Sequence, residues 1–122
     1  MACFRNAAAH LEPGGCFVIE LIVPELQRLP PGERTRTFEF SDDHVGIDEF
    51  DVANQRLTSH HWSLRDGAWH HSSLPFRYVW PAELDLMAHM AGMRLQDRWG
   101  GWKREPFTSD SRKHVSVWAK DR

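Results

Sequence analysis

The chain has 122 residues, enough for one domain with a modest core, and its apolar fraction of 41% is that of a folded protein. A net charge of −2 gives no basic stripe, which argues against phosphate-driven nucleic-acid binding and against attachment to an anionic membrane. The two cysteines, Cys3 and Cys16, make neither a CxxC pair nor a disulfide framework, so a reduced, cytoplasmic setting is expected. The apolar run at 16–23 is too short to span a bilayer, and residues 1–5 lack the apolar core of a signal peptide.

The stretch 3–11, CFRNAAAHL, carries Phe4, Ala7, Ala8 and Leu11 at helical spacing and predicts the last turns of an amphipathic helix. Pro13-Gly14-Gly15 stops it. Residues 16–23, CFVIELIV, lack two-fold alternation and predict a strand of a parallel sheet covered on both faces. After a polar loop, TRTFEF, HVGIDEFDV, QRLTSHHWSL and AWHHSSLPFRYVW predict antiparallel strands joined by tight turns, the clearest being Asp66-Gly67. Pro81 opens a helix with Glu83 and Asp85 in its first turn, where the helix dipole favours acids. Leu84, Met87, Ala88 and Ala91 form its apolar stripe, widened by Leu86, Met90 and Met93, and Gly92 ends it. RLQDRW predicts a strand, residues 100–112 a mixed-charge surface loop, and HVSVWAK a last strand with Val115, Val117 and Ala119 on its apolar side.

This order predicts an α/β fold taken as one domain over 1–122, with an antiparallel insert at 35–80, and an α+β fold when the chain is taken alone. Only about three strands serve the main sheet, roughly half of a doubly wound domain.

At this point FRNAAAHLEPGGCFVIEL resembles the helix, the Leu-x-Pro-Gly-Gly turn and the fifth strand of class I S-adenosylmethionine-dependent methyltransferases. PFRYVWPAELDLMAHMAGMRLQDRWGGW resembles their later segment, with its Pro-x-Glu-Leu helix and Ala-Gly turn, and HVSVWAK resembles their closing antiparallel strand. The insert resembles that of small-molecule methyltransferases, including those acting on sugars in actinomycetes. The resemblance implies a partial Rossmann-like sheet and S-adenosylmethionine as cofactor of the complete enzyme. Gly14-Gly15 precedes a late strand, and no GxGxG occurs anywhere, so no cofactor-binding residue and no cofactor are expected for this chain alone. The chain therefore reads as the carboxy-terminal half, for which truncation, a misplaced start codon or a split protein each account.

Glu20 sits near the carboxyl end of a strand, where ligands bind in open sheets. It is read as a substrate-facing acceptor or base, or else as a solvent-facing residue where the strand ends. His60-His61 and His70-His71 flank the Asp66-Gly67 turn, so that 61 and 71, or 61 and 72, lie opposite or diagonal. His60 and His61 are the catalytic candidates, with His61 also read as a substrate contact through proton removal. The alternatives are a metal site, for which no carboxylate or Cys completes a ligand set, and a split of each pair across the two faces. By resemblance, Arg77 and Tyr78 line the substrate side, Arg77 for a phosphate or carboxylate and Tyr78 to bond or stack. Against that stands a Tyr/Trp core edge with a solvated Arg. The six tryptophans, and the series Met87, Met90 and Met93, read as core.

Two functions follow. One is a fragment of an N- or O-methyltransferase that contributes the part binding a small-molecule substrate. The other is a stand-alone α+β binding or oligomerisation module. The unpaired edge of the 16–23 strand implies a homodimer or a separate amino-terminal half as partner.

Overall fold

A computed structural model describes residues 1–122. In chain order its elements are α1 (Ala2–His10), β1 (Cys16–Ile22), a 3-10 turn (Glu25–Arg28), β2 (Thr35–Phe40), β3 (His44–Asp51), β4 (Arg56–Arg65), β5 (Ala68–Arg77), α2 (Pro81–Met90), β6 (Met93–Trp99) and β7 (Lys113–Lys120). They divide into two compact units, one of Met1–Pro24 with Val79–Arg122 and one of Glu25–Tyr78. No helix is long and apolar enough to cross a membrane.

The first unit is a three-stranded sheet in the order β1-β7-β6, with β7 antiparallel to both neighbours. β1 is thus an edge strand, and it runs parallel to β6 on the far side of β7. Trp118 of β7 pairs with Phe17 of β1, and Phe4 of α1 meets Trp118 edge-on at 5.2 Å. The Trp118 indole also donates to Asp85 of α2 at 2.9 Å. Both helices therefore cover the Trp118 face. The core is Phe4, Ala8, Leu84, Ala88, Met93 and Trp118. The expectation of a parallel sheet covered on both sides is corrected. Val18 and Ile22, on the opposite face, are 44% and 63% exposed. The apolar run is real, but only its odd-numbered residues Phe17 and Ile19 find helices to pack on.

β7 is buried on both faces. Val115 and Ala119 are buried on the expected apolar side, at 3% and 6% exposure, and His114, Ser116 and Trp118, which face the helices, are fully buried too. The polar atoms buried there are paired except for His114 Nε2, which has no partner. His114 Nδ1 lies 2.7 Å from Ser116 Oγ, and Arg98 Nε donates to the same hydroxyl at 2.8 Å. The guanidinium then forks onto Asp85 at 2.6 and 3.1 Å. That two-pronged geometry is what repays the desolvation of a half-buried ion pair.

Helix ends are closed by specific groups. Glu83 accepts from the Trp80 N–H at 3.3 Å at the start of α2. Lys120 Nζ donates to the carbonyls of Ala8 and Leu11 at 2.7 and 2.8 Å, satisfying the open end of α1 with a cation. Gly92, at φ +80, takes the left-handed conformation that ends α2. The stripe of α2 is narrower than its sequence suggests. Leu84 and Ala88 are buried, but Leu86 and Met90 are each 61% exposed, and Met93 is buried as the first residue of β6 rather than of a helix.

The second unit is a four-stranded antiparallel sheet in the order β2-β3-β4-β5, three hairpins in succession as expected. Asp66 and Gly67 both have positive φ, +52 and +75, the turn whose twist matches a hairpin. Phe50, Leu57 and Tyr78 form the small apolar end, with the Phe50 and Tyr78 rings 6.2 Å apart. Gly46 is required for a close approach, since any Cβ there would strike the Phe38 ring. Every residue of β5 is exposed.

Candidate functional site

Successive residues of a strand point to opposite faces, so His60 and His61 are separated by the sheet itself. On the His61 face, Gly46 stands opposite His61 and leaves room for the side chains flanking it. His44, two residues away on β3, places Nε2 at 3.0 Å from His61 Nδ1. The ring centroids are 5.2 Å apart, so the two imidazoles meet edge to edge. Behind His44, Glu39 lies 2.8 Å from Nδ1, and beyond His61, Ser59 Oγ lies 3.1 Å from Nε2. Ser59 also bonds Asp48.

This chain, Glu39–His44–His61–Ser59–Asp48, has a proton count that determines its chemistry. An ionised carboxylate can only accept, so Glu39 fixes the N–H of neutral His44 on Nδ1 and leaves Nε2 as acceptor. His61 then donates from Nδ1 and accepts at Nε2 from the Ser59 hydroxyl. The hydroxyl has no second hydrogen for Asp48. Three hydrogens serve four contacts, so the chain is one proton short of satisfying all its bonds. Burial pushes the Asp48 carboxyl above its ordinary range, against the opposing pull of Ser59 and Arg36. The Phe38 ring, 5.3 Å from His61, walls one side.

On the other face, His60 Nδ1 lies 3.0 Å from His71 Nε2, and Glu49 lies 3.3 Å from His60 Nε2. Trp62 stacks on His71 at 4.7 Å. Of the two expected pairings, 61 with 72 is the one formed, and His71 stands against Trp62, so His61 and His71 lie on opposite faces. Each neighbouring pair does split across the faces, yet each imidazole then finds a partner from elsewhere. No three His, Cys, Asp or Glu side chains converge as a metal ligand set.

Of the remaining candidates, Glu20 belongs to the first unit and Arg77 and Tyr78 to the second. Glu20 accepts from the Trp102 indole at 2.6 Å and lies 3.5 Å from Lys113 Nζ. It is therefore a held carboxylate at the exit of β1, still 41% exposed at its side chain. Arg77 is exposed at the end of β5, opposite Arg56. Tyr78 is buried, its ring against Phe50, and burial pushes its phenol upward. The sequence reading missed His44, Glu39, Ser59 and Asp48. The signal that could find them is the turn after Asp51, which sets the β3–β4 register and brings His44 diagonal to His61.

His114 is the second titratable centre. Burial, reinforced by the Arg98 charge, holds its imidazole below the ordinary value, with Asp85 opposing. The folded chain thus keeps His114 neutral where the unfolded chain, titrating near about 6.5, takes up a proton. Its contribution is full above that value and is lost as pH falls below it. Thermal unfolding midpoints measured from pH 7.5 to 5.5 should fall, and His114→Leu should flatten that slope. An identical slope in the variant would assign the pH dependence to the other histidines.

The glycines do not form a cofactor cradle. The Gly14 N–H donates to the Lys120 carbonyl at 3.0 Å, that of Gly15 to Glu12 at 2.8 Å and that of Gly100 to Glu105 at 2.6 Å. These three amides are used within the chain and are not open to a cofactor.

No protein-family model matches the chain. Its homologues are methyltransferases, and the solved structures it resembles include S-adenosylmethionine-dependent ones. The CcbJ methyltransferase of Streptomyces caelestis is 39% identical, with a TM-score of 0.81 over 98% of this chain and 49% of that one. The cypemycin N-terminal methyltransferase of a Streptomyces species is 30% identical, over 96% of this chain and 49% of its own length. An S-adenosylmethionine-dependent methyltransferase of Clostridium acetobutylicum shares the fold alone, at 10% identity and a TM-score of 0.69, over 98% of this chain and 50% of that one. The chain spans about half the length of the curated relative it matches.

Proposed function

We propose that this chain is the carboxy-terminal, acceptor-binding part of an S-adenosylmethionine-dependent N- or O-methyltransferase of small molecules, with His61 taking the proton that the acceptor gives up. The observation that carries the reading is the 39% identity to the CcbJ methyltransferase across 98% of this chain but only 49% of that enzyme. The methyl donor would be held by residues outside this chain, either in an amino-terminal half or in a separate partner, and the setting is the cytoplasm.

A nucleophilic nitrogen or oxygen must shed a proton as it gains a methyl group, and a positioned imidazole near its operating pH serves that step. The one-proton deficit of the Glu39–His44–His61–Ser59–Asp48 chain supports His61 in this role. Glu39 orients His44, His44 orients His61, and a proton gained at His61 Nε2 restores the Ser59 hydroxyl to Asp48. Arg77, exposed at the end of β5 in the same unit, belongs to this reading as a group that meets the acceptor.

Isothermal titration of S-adenosylmethionine into the 122-residue chain should be flat. Co-expression with a segment encoded upstream should restore binding and turnover, and His61→Gln should then lower kcat about 100-fold or more with a lost acidic limb in its pH profile. Micromolar binding by the chain alone would defeat the division of labour.

A second reading, a stand-alone binding or oligomerisation module, is favoured by the open edge of β1 and the exposed Val18 and Ile22 beside it. It expects a homodimer, and a monomer by light scattering at high concentration removes it.

A further inference from the structure

On the face of the second unit opposite His61, we propose that His60 and His71 bind one divalent transition-metal ion of the zinc, nickel or copper class. The inference does not depend on the methyltransferase reading. His60 Nδ1 and His71 Nε2 lie 3.0 Å apart across the β4–β5 pair. Their ring centroids are 5.3 Å apart and their planes differ by 19°, so the rings are nearly parallel with the two nitrogens at their closest approach. A tetrahedral ion with bonds of about 2.0–2.1 Å needs its two nitrogens about 3.3–3.4 Å apart. A small rotation of either ring supplies that opening.

The proton arrangement is already half prepared. Glu49, an acceptor only, lies 3.3 Å from His60 Nε2 and fixes the N–H there. His60 Nδ1 is therefore a free lone pair that accepts from His71 Nε2–H. For the ion to enter, His71 moves its proton from Nε2 to Nδ1 through solvent, with no net proton released, and both facing nitrogens become donors to the metal. A ligating imidazole whose other N–H is held by a carboxylate is the arrangement that orients and strengthens metal ligands. Imidazole nitrogens suit Zn, Ni and Cu, and water completes the coordination on this exposed surface. Trp62 stacks on His71 at 4.7 Å and keeps the ring from swinging away.

The His44–His61 pair has the same spacing, but both of its outer nitrogens are already held, by Glu39 and Ser59, and neither ring is exposed, whereas His71 is exposed and its outer nitrogen is open to take the displaced proton. A metal at His60–His71 would tie the exposed edge strand β5 to β4.

The test is calorimetric titration of ZnCl2 into the metal-stripped full chain, with long-range nitrogen–proton NMR of the imidazoles. One ion per chain is expected, together with a change of His71 from the Nε2–H to the Nδ1–H tautomer at saturation. His71→Ala and His71→Asn should each weaken binding at least about tenfold, Glu49→Gln about tenfold, and His44→Ala not at all. Two variants at position 71 separate a lost ligand from a lost fold, since both leave the exposed β5 backbone intact. Absence of binding below millimolar zinc, binding that survives both His71 variants, or binding lost in His44→Ala would each overturn the proposal.

Discussion

Replacing Asp85 by Ala should cost about 3 kcal/mol of stability, read as a fall in the denaturation midpoint of the whole chain. The reason is what the carboxylate holds. Its two oxygens take both arms of Arg98, and one of them also takes the Trp118 indole N–H. Arg98, only 13% exposed at its side chain, would be left as a poorly solvated cation, still bonded to Ser116 but without a counter-charge. Asp85→Asn keeps an acceptor for the indole while removing the charge, so it should recover part of the loss. Equal midpoints for Asp85→Ala and the unchanged chain would show that the ion pair contributes nothing.

Trp118→Ala should be at least as costly, about 3–5 kcal/mol. Trp118 is fully buried and is the ring on which both helices meet the sheet. Phe4 packs on it edge-on at 5.2 Å, Phe17 lies at 6.2 Å, and α2 reaches it through Asp85. Trp118→Phe should retain most of the packing and lose the indole bond, for about 1–2 kcal/mol plus the smaller volume. Because Asp85 and Trp118 share one bond, the double variant Asp85→Ala with Trp118→Phe should cost less than the two losses added. Strict additivity, measured by the same denaturation, would mean that the bond is not formed in solution.

The proposed acceptor site was legible only in part. His61 stood out because histidine pairs flank an Asp-Gly turn, a local feature. Its working partners did not stand out, since Glu39 and His44 arrive from two other strands and depend on the registers of β2 on β3 and of β3 on β4. Glu20 shows the same limit. Its place near the end of β1 is readable from the run of residues, but Trp102 and Lys113, which hold it, come from the loop before β7 and from its first residue.

What this sequence determined by itself is local in origin. Four strands of alternating and β-branched residues, the Asp66-Gly67 hairpin, the Pro81 start and Gly92 stop of α2, and the Pro-Gly-Gly turn before β1 all follow from backbone preferences acting over a few residues. Burial of the polar face was decided elsewhere. In β7 the periodicity marks the side of Val115 and Ala119 as inner, and these two are buried, yet His114, Ser116 and Trp118 on the side turned to the helices are fully buried as well. That choice rests on Arg98 and Asp85, which lie at other points of the chain and supply the bonds that make polar burial affordable. Period alone states which residues share a face. Only the assembled partners state whether the polar face is buried too, because the cost of burying a polar group depends on who meets it there.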